Sequence, residues 1–456
     1  MRRFLAGTVA ATVTALGLSV VAAGPAQAAS AEGTFSVLTY NVAGLPAILS
    51  SAGTNRETST TTIGQRIQPY DIVNVQEDFN YHARLYAANA HPYRTPTSGG
   101  VPFGSGLNSL SNFSYDDPDF ERVKWSNCSS GSGDCLTPKG FTFMRVRLAD
   151  GVYVDVYNLH TDAGDDAGDL AARAANLGQL TSFIRSHSAG NAVLVMGDTN
   201  TRYTRAGDTI AEFAADNQLT DAWVQLPRGG VAPAKGSPTL GCDKSNPTDD
   251  CEIVDKVLYR GSRFINLNAT TYHNEHAKFL EDGTGLMLSD HDPITVKFAW
   301  STNPAYTFSE QHGGPHGDYF NDITSVPEGA QTTAISLRAA KRVDQVGLTL
   351  SNGTTLTHGG NGGTYSSLNL GSNEYVTSAY LCQGKYNNST RIFHARFTTN
   401  LGRTLAGGTT TDNCVTRTAP PGWQIAGFHG RSGNEVDKVG FIFTRQGSAA
   451  GQPGRR

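Results

Sequence analysis

Hydrophobic and polar positions alternate in short runs over residues 35–300, and segments with a helical period separate these runs. Seven runs have the β-branched, partly alternating pattern of buried strands: FSVLTYNV, DIVNVQE, FTFMRVRL, VYVDVYNLH, AVLVMGD, EIVDKVLY and ITVKFAW. Helices are predicted at 60–67, 81–90, 167–186 and 207–217, and the third places Leu170, Ala174, Leu177, Leu180 and Ile184 on one face. Strands with intervening helices predict a layered α/β domain over residues 33–300.

The pattern changes after Trp300. A linker is predicted at residues 301–306, and beyond it the chain is rich in Gly, Thr and Ser with almost no helical period. Short strand-like runs recur there, including TAISLRA, VDQVGLTL, RIFHARFT and KVGFIFT. They predict a separate all-β domain over residues 307–446. Two domains are also the expectation for a chain of 456 residues.

The N-terminus has the composition of an export signal. Arg2 and Arg3 precede an apolar run that ends in Ala26-Gln27-Ala28, which predicts a secretory signal peptide over residues 1–28. A retained anchor is the alternative, but Gly24 and Pro25 interrupt the run. No other stretch is long and apolar enough to form a transmembrane segment, so we expect a secreted, extracellular protein.

Six cysteines fall into three local couples. In an exported chain such couples favour disulfides, although six cysteines allow fifteen pairings. Zinc binding is the alternative, but the short couples lack the ligand spacing and nearby histidines of zinc sites. We therefore predict three disulfides, namely Cys128 with Cys135, Cys242 with Cys251, and Cys382 with Cys414.

Charge is distributed unevenly between the two predicted domains. Residues 33–300 contain 21 Lys and Arg against 30 Asp and Glu, whereas residues 301–456 contain 13 against 9. An acidic first domain argues mildly against a polyanion such as duplex DNA as its main partner. A bound divalent cation would change that local field.

Polar side chains lie at the ends of several predicted strands of the first domain. The stretch SDHDPITVKFAW is one example, because two aspartates and a histidine run directly into a buried strand. A turn or an exposed strand end explains each such residue singly. If they met at one edge of a sheet sandwich, they would supply oxygen ligands for Mg²⁺ or Ca²⁺ and imidazoles for proton transfer. The candidates are Asn41, Glu77, His160, Asp198, Asn200, Asp255, Asp290 and His291.

Six motifs in order, TYNV, NVQE, NLHTD, MGDTN, IVDKVLY and SDHDP, resemble the endonuclease/exonuclease/phosphatase superfamily over residues 35–300. The resemblance implies a DNase I-like four-layer α/β sandwich and hydrolysis of a phosphoester with Mg²⁺, or with Ca²⁺ or Mn²⁺. It leaves open which histidine is the general base, although His291 matches the usual one, and whether one or two metal ions act. It implies metal binding by Asn41, Glu77 and Asp290, and catalytic roles for His160, Asp198, Asn200, Asp255 and His291.

The substrate class is indicated by a second resemblance within this domain. The stretch GLNSLSNFSYDDPDF, followed by CLTPKGFTFMRVRL with Lys139 and Gly140, is similar to the sphingomyelinase and phospholipase C-like branch. This implies a phospholipid or another phosphodiester as substrate. A DNase I-like extracellular nuclease and an inositol-phosphate phosphatase are the alternatives, so nucleic acid stays a less favoured partner.

The second domain carries FSEQHGGPHGDYFND, THGGNGGTY and GWQIAGFHGRSGNEVDKVGFIFT, which resemble the jacalin-related lectins over residues 307–446. The resemblance implies a β-prism of three sheets that binds sugars, and hence cell-surface glycans as partners. A loop that has lost binding, or a glycan-binding protein whose α/β domain is inert, are the alternatives. The implied carbohydrate-binding residues are Gly317, Gly433, Asn434, Glu435 and Asp437; lectins often carry an apolar or aromatic residue at the position of Glu435.

Overall fold

The computed structural model describes residues 30–131 and 133–447, so the predicted signal peptide lies outside the described residues. Two six-stranded sheets form the centre of the first domain. The first sheet, in spatial order, contains β11 (Ile265–Asn274), β12 (Ile294–Thr302), β1 (Glu32–Asn41), β2 (Ile72–Gln76), β4 (Asn108–Ser111) and β3 (Tyr93–Arg94). The second contains β5 (Glu121–Lys124), β6 (Gly140–Ala149), β7 (Val152–His160), β8 (Ala192–Asp198), β10 (Asp255–Arg260) and β9 (Thr220–Asp221).

Helices cover the outer face of each sheet. One apolar cluster joins Ile63 and Leu85 to the first sheet, and a second cluster joins Leu177 and Phe213 to the second sheet. The layers are therefore helix, sheet, sheet, helix, which confirms the predicted four-layer sandwich. The helices are α1 (Arg56–Arg66), α2 (His82–Ala87), α3 (Ala167–His187), α4 (Ile210–Asp216) and α5 (Ala222–Gln225), with 3₁₀ turns at Asp117–Asp119, Asp134–Leu136, His276–Lys278 and Asp322–Thr324.

The predicted face of α3 is only partly buried. Leu177, Leu180 and Ile184 are buried as expected, whereas Leu170 and Ala174 are half-buried. The buried face of α3 instead includes Ala172, Arg173 and Asn176. Arg173 is buried against Asp208, and its guanidinium donates to the Asp208 carboxylate at 2.9 and 2.7 Å. A buried ion pair thus replaces part of the apolar stripe.

Strand register brings the polar strand ends to one edge of the sandwich. β1 runs parallel to β2 with Asn41 opposite Gln76, and β7 runs parallel to β8 with His160 opposite Asp198. β10 runs antiparallel to β8, so that Asp255 at its start also lies opposite Asp198. One edge therefore collects residues that are far apart in sequence.

The second domain is a β-prism of three sheets, as predicted. Its first sheet lies against the sandwich of the first domain, and the other two sheets form hairpin pairs around an apolar interior. The strands are β13 (Tyr306–Phe308), β14 (His312–Gly313), β15 (Asp318–Asn321), β24 (Trp423–Ser432) and β25 (Val436–Arg445) in the first sheet, β16 (Thr332–Ala339), β17 (Val343–Leu350), β18 (Thr355–Gly359) and β19 (Thr364–Asn369) in the second, and β20 (Val376–Tyr386), β21 (Ser389–Thr399), β22 (Thr404–Gly408) and β23 (Asn413–Thr418) in the third.

The two domains share an interface that contains buried charge. Asp119 of the sandwich is buried and accepts hydrogen bonds from Arg431 Nη1 at 2.9 Å and Lys438 Nζ at 2.8 Å, both in the prism. Phe264 stacks on Phe308 across the same boundary, with ring centroids 4.3 Å apart. Removing one partner of a buried ion pair typically costs about 3–5 kcal/mol. Tests of either domain are therefore best made by single substitutions in the full chain.

The three predicted disulfides are present, joining Cys128 to Cys135, Cys242 to Cys251 and Cys382 to Cys414. Residues 303–305 connect β12, the last strand of the first domain, to β13, the first strand of the second.

Within residues 30–131 and 133–447, no helix has the length and apolar character needed to cross a membrane.

Candidate active site

Asn41, at the end of β1, is hydrogen-bonded to Glu77 after β2 and to Asp198 at the end of β8. Its side-chain amide nitrogen donates to Glu77 Oε1 and to Asp198 Oδ2, each at 3.1 Å, and its amide oxygen accepts from the backbone N–H of Ala43 at 3.1 Å. Ser289 Oγ donates to the Asn41 carbonyl at 2.6 Å, which fixes the SDHDP loop on the same edge. Asn41 therefore sets the separation of two carboxylates.

Asp198 lies between the two histidines predicted for the site. His160 Nε2 is 3.3 Å and His291 Nε2 is 3.7 Å from Asp198 Oδ2. His291 Nδ1 is 2.8 Å from Asp255 Oδ2, so this imidazole lies between two carboxylates. The arrangement places two proton-carrying groups next to one another, with one of them oriented by a third residue.

Burial and charge give the two histidines opposite protonation. Burial, together with the positive charge of Lys139, lowers the pKa of His160 to about 3, so its imidazole is neutral. Burial also disfavours charge on His291, but Asp255 and Asp198 outweigh it and raise the pKa of His291 well above its ordinary value. One neutral and one cationic imidazole therefore flank Asp198.

The carboxylates respond to the same neighbours. Burial raises the pKa of Asp255 to about 6 in spite of the opposing charge of His291. Burial also disfavours charge on Asp198, but cationic His291 and Lys139, together with the hydrogen bond from Asn41, outweigh it and lower the pKa of Asp198. Asp198 is therefore ionised more readily than Asp255.

Glu77 enters the site through an unusual backbone conformation. Its φ is 54°, in the left-handed region, and Ala43 and Asn200 near it also have positive φ, at 46° and 49°. A bulky residue held there is strained, and such strain concentrates at functional positions. A side chain on Gly106 would lie 3.0 Å from the Glu77 Cα, so the loop opposite requires glycine.

The donor set of the cluster fits a hard divalent cation. Burial raises the pKa of Glu77, and this effect is larger than the opposing effects of the Asn41 hydrogen bond and the Lys139 charge. A cation bound nearby would therefore stabilise the ionised carboxylate. Carboxylate oxygens of Asp198 and Asp255 lie within 4.8 Å of one another. Asp255 Oδ1 is buried with no hydrogen-bond partner among the described residues. Carboxylate oxygens are the ligands that Mg²⁺ and Ca²⁺ prefer.

Asn200 and Asp290 lie on either side of this cluster. The Asn200 backbone N–H donates to Asp198 Oδ1 at 3.0 Å, and its side-chain amide donates to the Thr161 carbonyl at 3.2 Å. Asp290 is exposed, and its carboxylate accepts from the Ser51 hydroxyl. All eight predicted site residues therefore occur on one edge of the sandwich, with Asp290 at its rim.

A cleft of about 580 Å³ opens beside His291. Its lining includes Cys242 and Lys244 of the disulfide-closed loop, together with residues 51–53 and 286–287. It leads from solvent to Asp255 and His291, which gives an extended substrate access to the cluster.

Lys139 belongs to the site, although the sequence identified it only as a subfamily feature. Its side chain is 13% exposed, forms an ion pair with Asp134 and donates to the Thr161 carbonyl at 3.4 Å. Its charge acts on the pKa of both Glu77 and Asp198. The position of Lys139 in the sequence could have indicated this. Lys139 immediately precedes Gly140 at the start of β6, and this end of β6 pairs with the end of β7 that carries His160.

The predicted sugar-binding residues also lie together. The Asp437 carboxylate is buried and lies against Gly317, whose φ is 74° and where a Cβ would be 2.6 Å from Asp437 Oδ2. Arg391 Nη1 donates to Asp437 Oδ1 at 3.0 Å. Glu435 is paired with Arg342 through Nε at 2.8 Å and Nη2 at 2.5 Å. Gly433 and Asn434 are exposed, so the loop is open to solvent between these pairs.

A four-layer sandwich with this cluster on its strand-end edge is joined to a β-prism, and a family model matches part of each domain. Residues 55–230 match the family model described as Endonuclease/Exonuclease/phosphatase family 2. Residues 309–442 match the Jacalin-like lectin domain. Both resemblances inferred from the motifs are confirmed.

Similar proteins are known for each domain. The sphingomyelinase of Mycobacterium tuberculosis (strain ATCC 25618 / H37Rv) is 44% identical over 274 residues, which cover 59% of this chain and 53% of that protein. Horcolin of Hordeum vulgare is 27% identical over 137 residues, 29% of this chain and 92% of that protein. Sphingomyelinase C from Streptomyces griseocarneus aligns with 58% of this chain and 99% of its own at 20% identity and a TM-score of 0.42. The chain thus spans about half the length of the sphingomyelinases it matches.

Proposed function

We propose that the protein is an exported, divalent-metal-dependent phosphodiesterase that acts on sphingomyelin or a related phospholipid and carries a carbohydrate-binding domain. The observation that carries the proposal is the His291 imidazole held between Asp255 and Asp198 at the edge that also collects Glu77 and His160. The 44% identity to a sphingomyelinase supports the lipid substrate.

The chain's own residues supply proton transfer and phosphate binding. His291, oriented by Asp255, exchanges a proton with the water or the leaving oxygen. Neutral His160 donates a hydrogen bond, and Lys139 offers positive charge to the oxygens of the phosphate. Asn41 and Asn200 keep Asp198 in place through the hydrogen bonds at 3.1 and 3.0 Å.

Glu77 is the residue best placed to hold the metal ion, with Asp290 at the rim as a second carboxylate. Both offer oxygen donors, and the negative charge of Asp290 adds to burial in raising the pKa of Glu77. A divalent cation at this position would neutralise charge on the phosphate oxygens. The Asn41 amide nitrogen steadies the Glu77 carboxylate from the opposite side.

The substrate and the metal are tested together with full-length mature protein. Sphingomyelin, phosphatidylcholine, duplex DNA and inositol phosphates are each incubated with Mg²⁺, with Ca²⁺, or with EDTA, and the released phosphate ester is measured. We expect phosphocholine release from sphingomyelin that EDTA abolishes and Mg²⁺ restores, because the carboxylate cluster needs a counter-charge. Full turnover in EDTA contradicts the metal assignment, and cleavage of DNA alone contradicts the lipid substrate.

We propose that the prism binds a sugar through Gly317 and the loop Gly433–Asp437. Asp437 Oδ2 faces Gly317, and a carboxylate oxygen can accept hydrogen bonds from adjacent hydroxyls. Arg391 on the other oxygen keeps the carboxylate oriented. Joining such a site to the hydrolase would raise local substrate concentration where one surface carries both ligands.

Asp437→Asn in the full chain should lower retention on immobilised glycan by at least about tenfold, which corresponds to about 1.4 kcal/mol of lost binding. Hydrolysis of a short-chain soluble substrate should stay unchanged, because Asp437 is in the other domain. Binding is measured on a glycan array followed by titration of the best ligand. Undiminished glycan binding by the variant would exclude this loop as the site.

A further inference from the structure

Trp125 contacts the backbone of two residues of the candidate active site. Its indole Nε1–H donates to the His160 carbonyl at 2.7 Å, and its backbone N–H donates to the Lys139 carbonyl at 3.0 Å. Trp125 itself is buried, with 5% of its surface exposed. It can therefore influence a substrate at the cluster only through the residues that it contacts.

The His160 carbonyl lies just beyond the ladder between β6 and β7. The last β7 residue paired with β6 is Leu159, so this ladder stops one residue before His160. The Thr161 N–H bonds the Asp198 carbonyl of β8 at 3.1 Å. Because the N–H and C=O of one trans peptide point in opposite directions, the His160 carbonyl faces away from β8. The indole of Trp125 supplies its donor on that side.

His160 and Lys139 are the two residues proposed to contact the phosphate oxygens without the metal ion. His160 is the last residue of β7, and Lys139 immediately precedes β6, so both lie at strand ends. Fewer ladder hydrogen bonds hold the backbone there than within a strand. Since Trp125 bonds one carbonyl through its side chain and the other through its backbone, it fixes the two strand ends relative to each other.

Trp125 is held in place on both sides. The side-chain amide of Gln179 on α3 donates to the Lys124 carbonyl at 3.0 Å and accepts from the Ser126 N–H at 2.8 Å. The indole packs on Phe141, with ring centroids 5.1 Å apart. The direction of the indole N–H is therefore set by the packing of β5, β6 and α3.

We propose that Trp125 is a positioning residue, which holds the His160 imidazole and the Lys139 ammonium at the separation that the phosphate requires; this rests on the phosphodiesterase function proposed above. An indole bonded to a backbone carbonyl can also serve stability alone. Trp223 is such a case, because its Nε1–H donates to the Asp249 carbonyl at 3.0 Å. The two acceptors differ, since His160 belongs to the cluster, whereas the Asp249 side chain lies on the surface.

Trp125→Phe removes the indole N–H and keeps both an aromatic ring beside Phe141 and the backbone donor to Lys139. We expect kcat for a soluble short-chain sphingomyelin to fall about tenfold with KM unchanged, because a displaced imidazole weakens only the transition state. Trp223→Phe is the matched control, since it removes the same kind of bond from a buried indole. It should lower Tm as much as Trp125→Phe does and leave kcat unchanged. Equal loss of kcat in both variants, or wild-type kcat in Trp125→Phe, overturns the proposal.

A double-mutant cycle shows whether Trp125 acts through His160. In the His160→Ala background there is no imidazole to position, so Trp125→Phe should lower kcat by less than about twofold further. Independent effects multiply, so a further loss of about tenfold in that background overturns the proposal.

Gln179→Met carries the same test if Trp125→Phe fails to fold. It removes both hydrogen bonds that flank Trp125 and leaves the indole in the chain. We expect kcat to fall about threefold in the wild-type background and to stay unchanged in His160→Ala. Unchanged kcat in both backgrounds, or an equal loss in both, contradicts the positioning role.

The position of the imidazole is also measured without a substrate, by NMR of full-length protein labelled with ¹³Cε1-histidine. The His160 signal is identified by its absence from His160→Ala. Trp125→Phe should shift this signal, and Trp223→Phe should leave it in place. An unshifted His160 signal in Trp125→Phe overturns the positioning role. Absence of turnover by the wild-type protein on every phosphodiester overturns the proposed function instead, because the His160 signal still reports whether the indole holds the imidazole.

Discussion

Glu77→Gln should lower turnover of the phosphodiester substrate by at least about a hundredfold, which corresponds to about 2.7 kcal/mol of lost transition-state stabilisation. The substitution keeps the shape of the side chain and its oxygen acceptor for the Asn41 amide, which donates at 3.1 Å. It removes the charge that a divalent cation needs. Turnover is measured at saturating Mg²⁺, and Mg²⁺ affinity is measured by titration calorimetry.

The stability of this variant should be equal to or greater than that of the wild-type protein without metal. Burial raises the pKa of Glu77, so the folded protein is penalised for carrying the charge, and the neutral amide relieves that penalty. Glu57→Gln is the matched control, since Glu57 is an exposed residue of α1 paired with Arg84 on the surface. A fully active Glu77→Gln, or one with unchanged Mg²⁺ affinity, would contradict the metal assignment.

The strands predicted from apolar runs all occur, with ends displaced by only a few residues. β11 was missed, although Ile265, Leu267 and Ala269 alternate with exposed residues. It is the edge strand of its sheet, and its solvent face carries Asn266 and Asn268, residue types that otherwise favour turns. An edge strand with a polar face has too few apolar residues to stand out in sequence.

The edge that collects the site residues could be predicted, but the pairings within it could not. A meeting of these polar strand ends at one edge was considered from the sequence, and the parallel neighbours β7 and β8 place His160 beside Asp198 there. Nothing in the sequence shows that the nitrogen of Asn41 bridges two carboxylates. These contacts depend on side-chain directions that are set by packing rather than by local sequence.

The domain interface was outside the reach of sequence patterns altogether. Asp119 and Lys438 are 319 residues apart in the sequence. Both are charged residues, which normally lie on the solvent-exposed surface. Their burial follows only from the docking of the prism on the sandwich. The sequence therefore predicted the two folds without showing that one apolar cluster runs through both.

His160→Ala and His291→Ala should each lower turnover by at least about a hundredfold, the usual scale for losing a group that donates or accepts a proton. The loss should appear mainly in kcat, because both imidazoles act on the reacting phosphate and not on the lipid chains. His273→Ala is the control, since His273 is a largely exposed residue of β11 that pairs with Asp249 on the surface. Either variant with wild-type kcat would remove that histidine from the mechanism.

Added imidazole should distinguish the two variants. The His291 side chain is 21% exposed at the cleft, so imidazole can enter the space it vacates and meet the Asp255 carboxylate, which otherwise lies 2.8 Å from Nδ1. The His160 side chain is only 2% exposed, and its Nδ1 is buried without a partner among the described residues, so the space that it vacates is less accessible from solvent than that of His291. We expect imidazole to restore part of the kcat of His291→Ala and a smaller part of that of His160→Ala. Rescue of His160→Ala alone would reverse the assignment, because it would place the solvent-accessible proton carrier at the other imidazole.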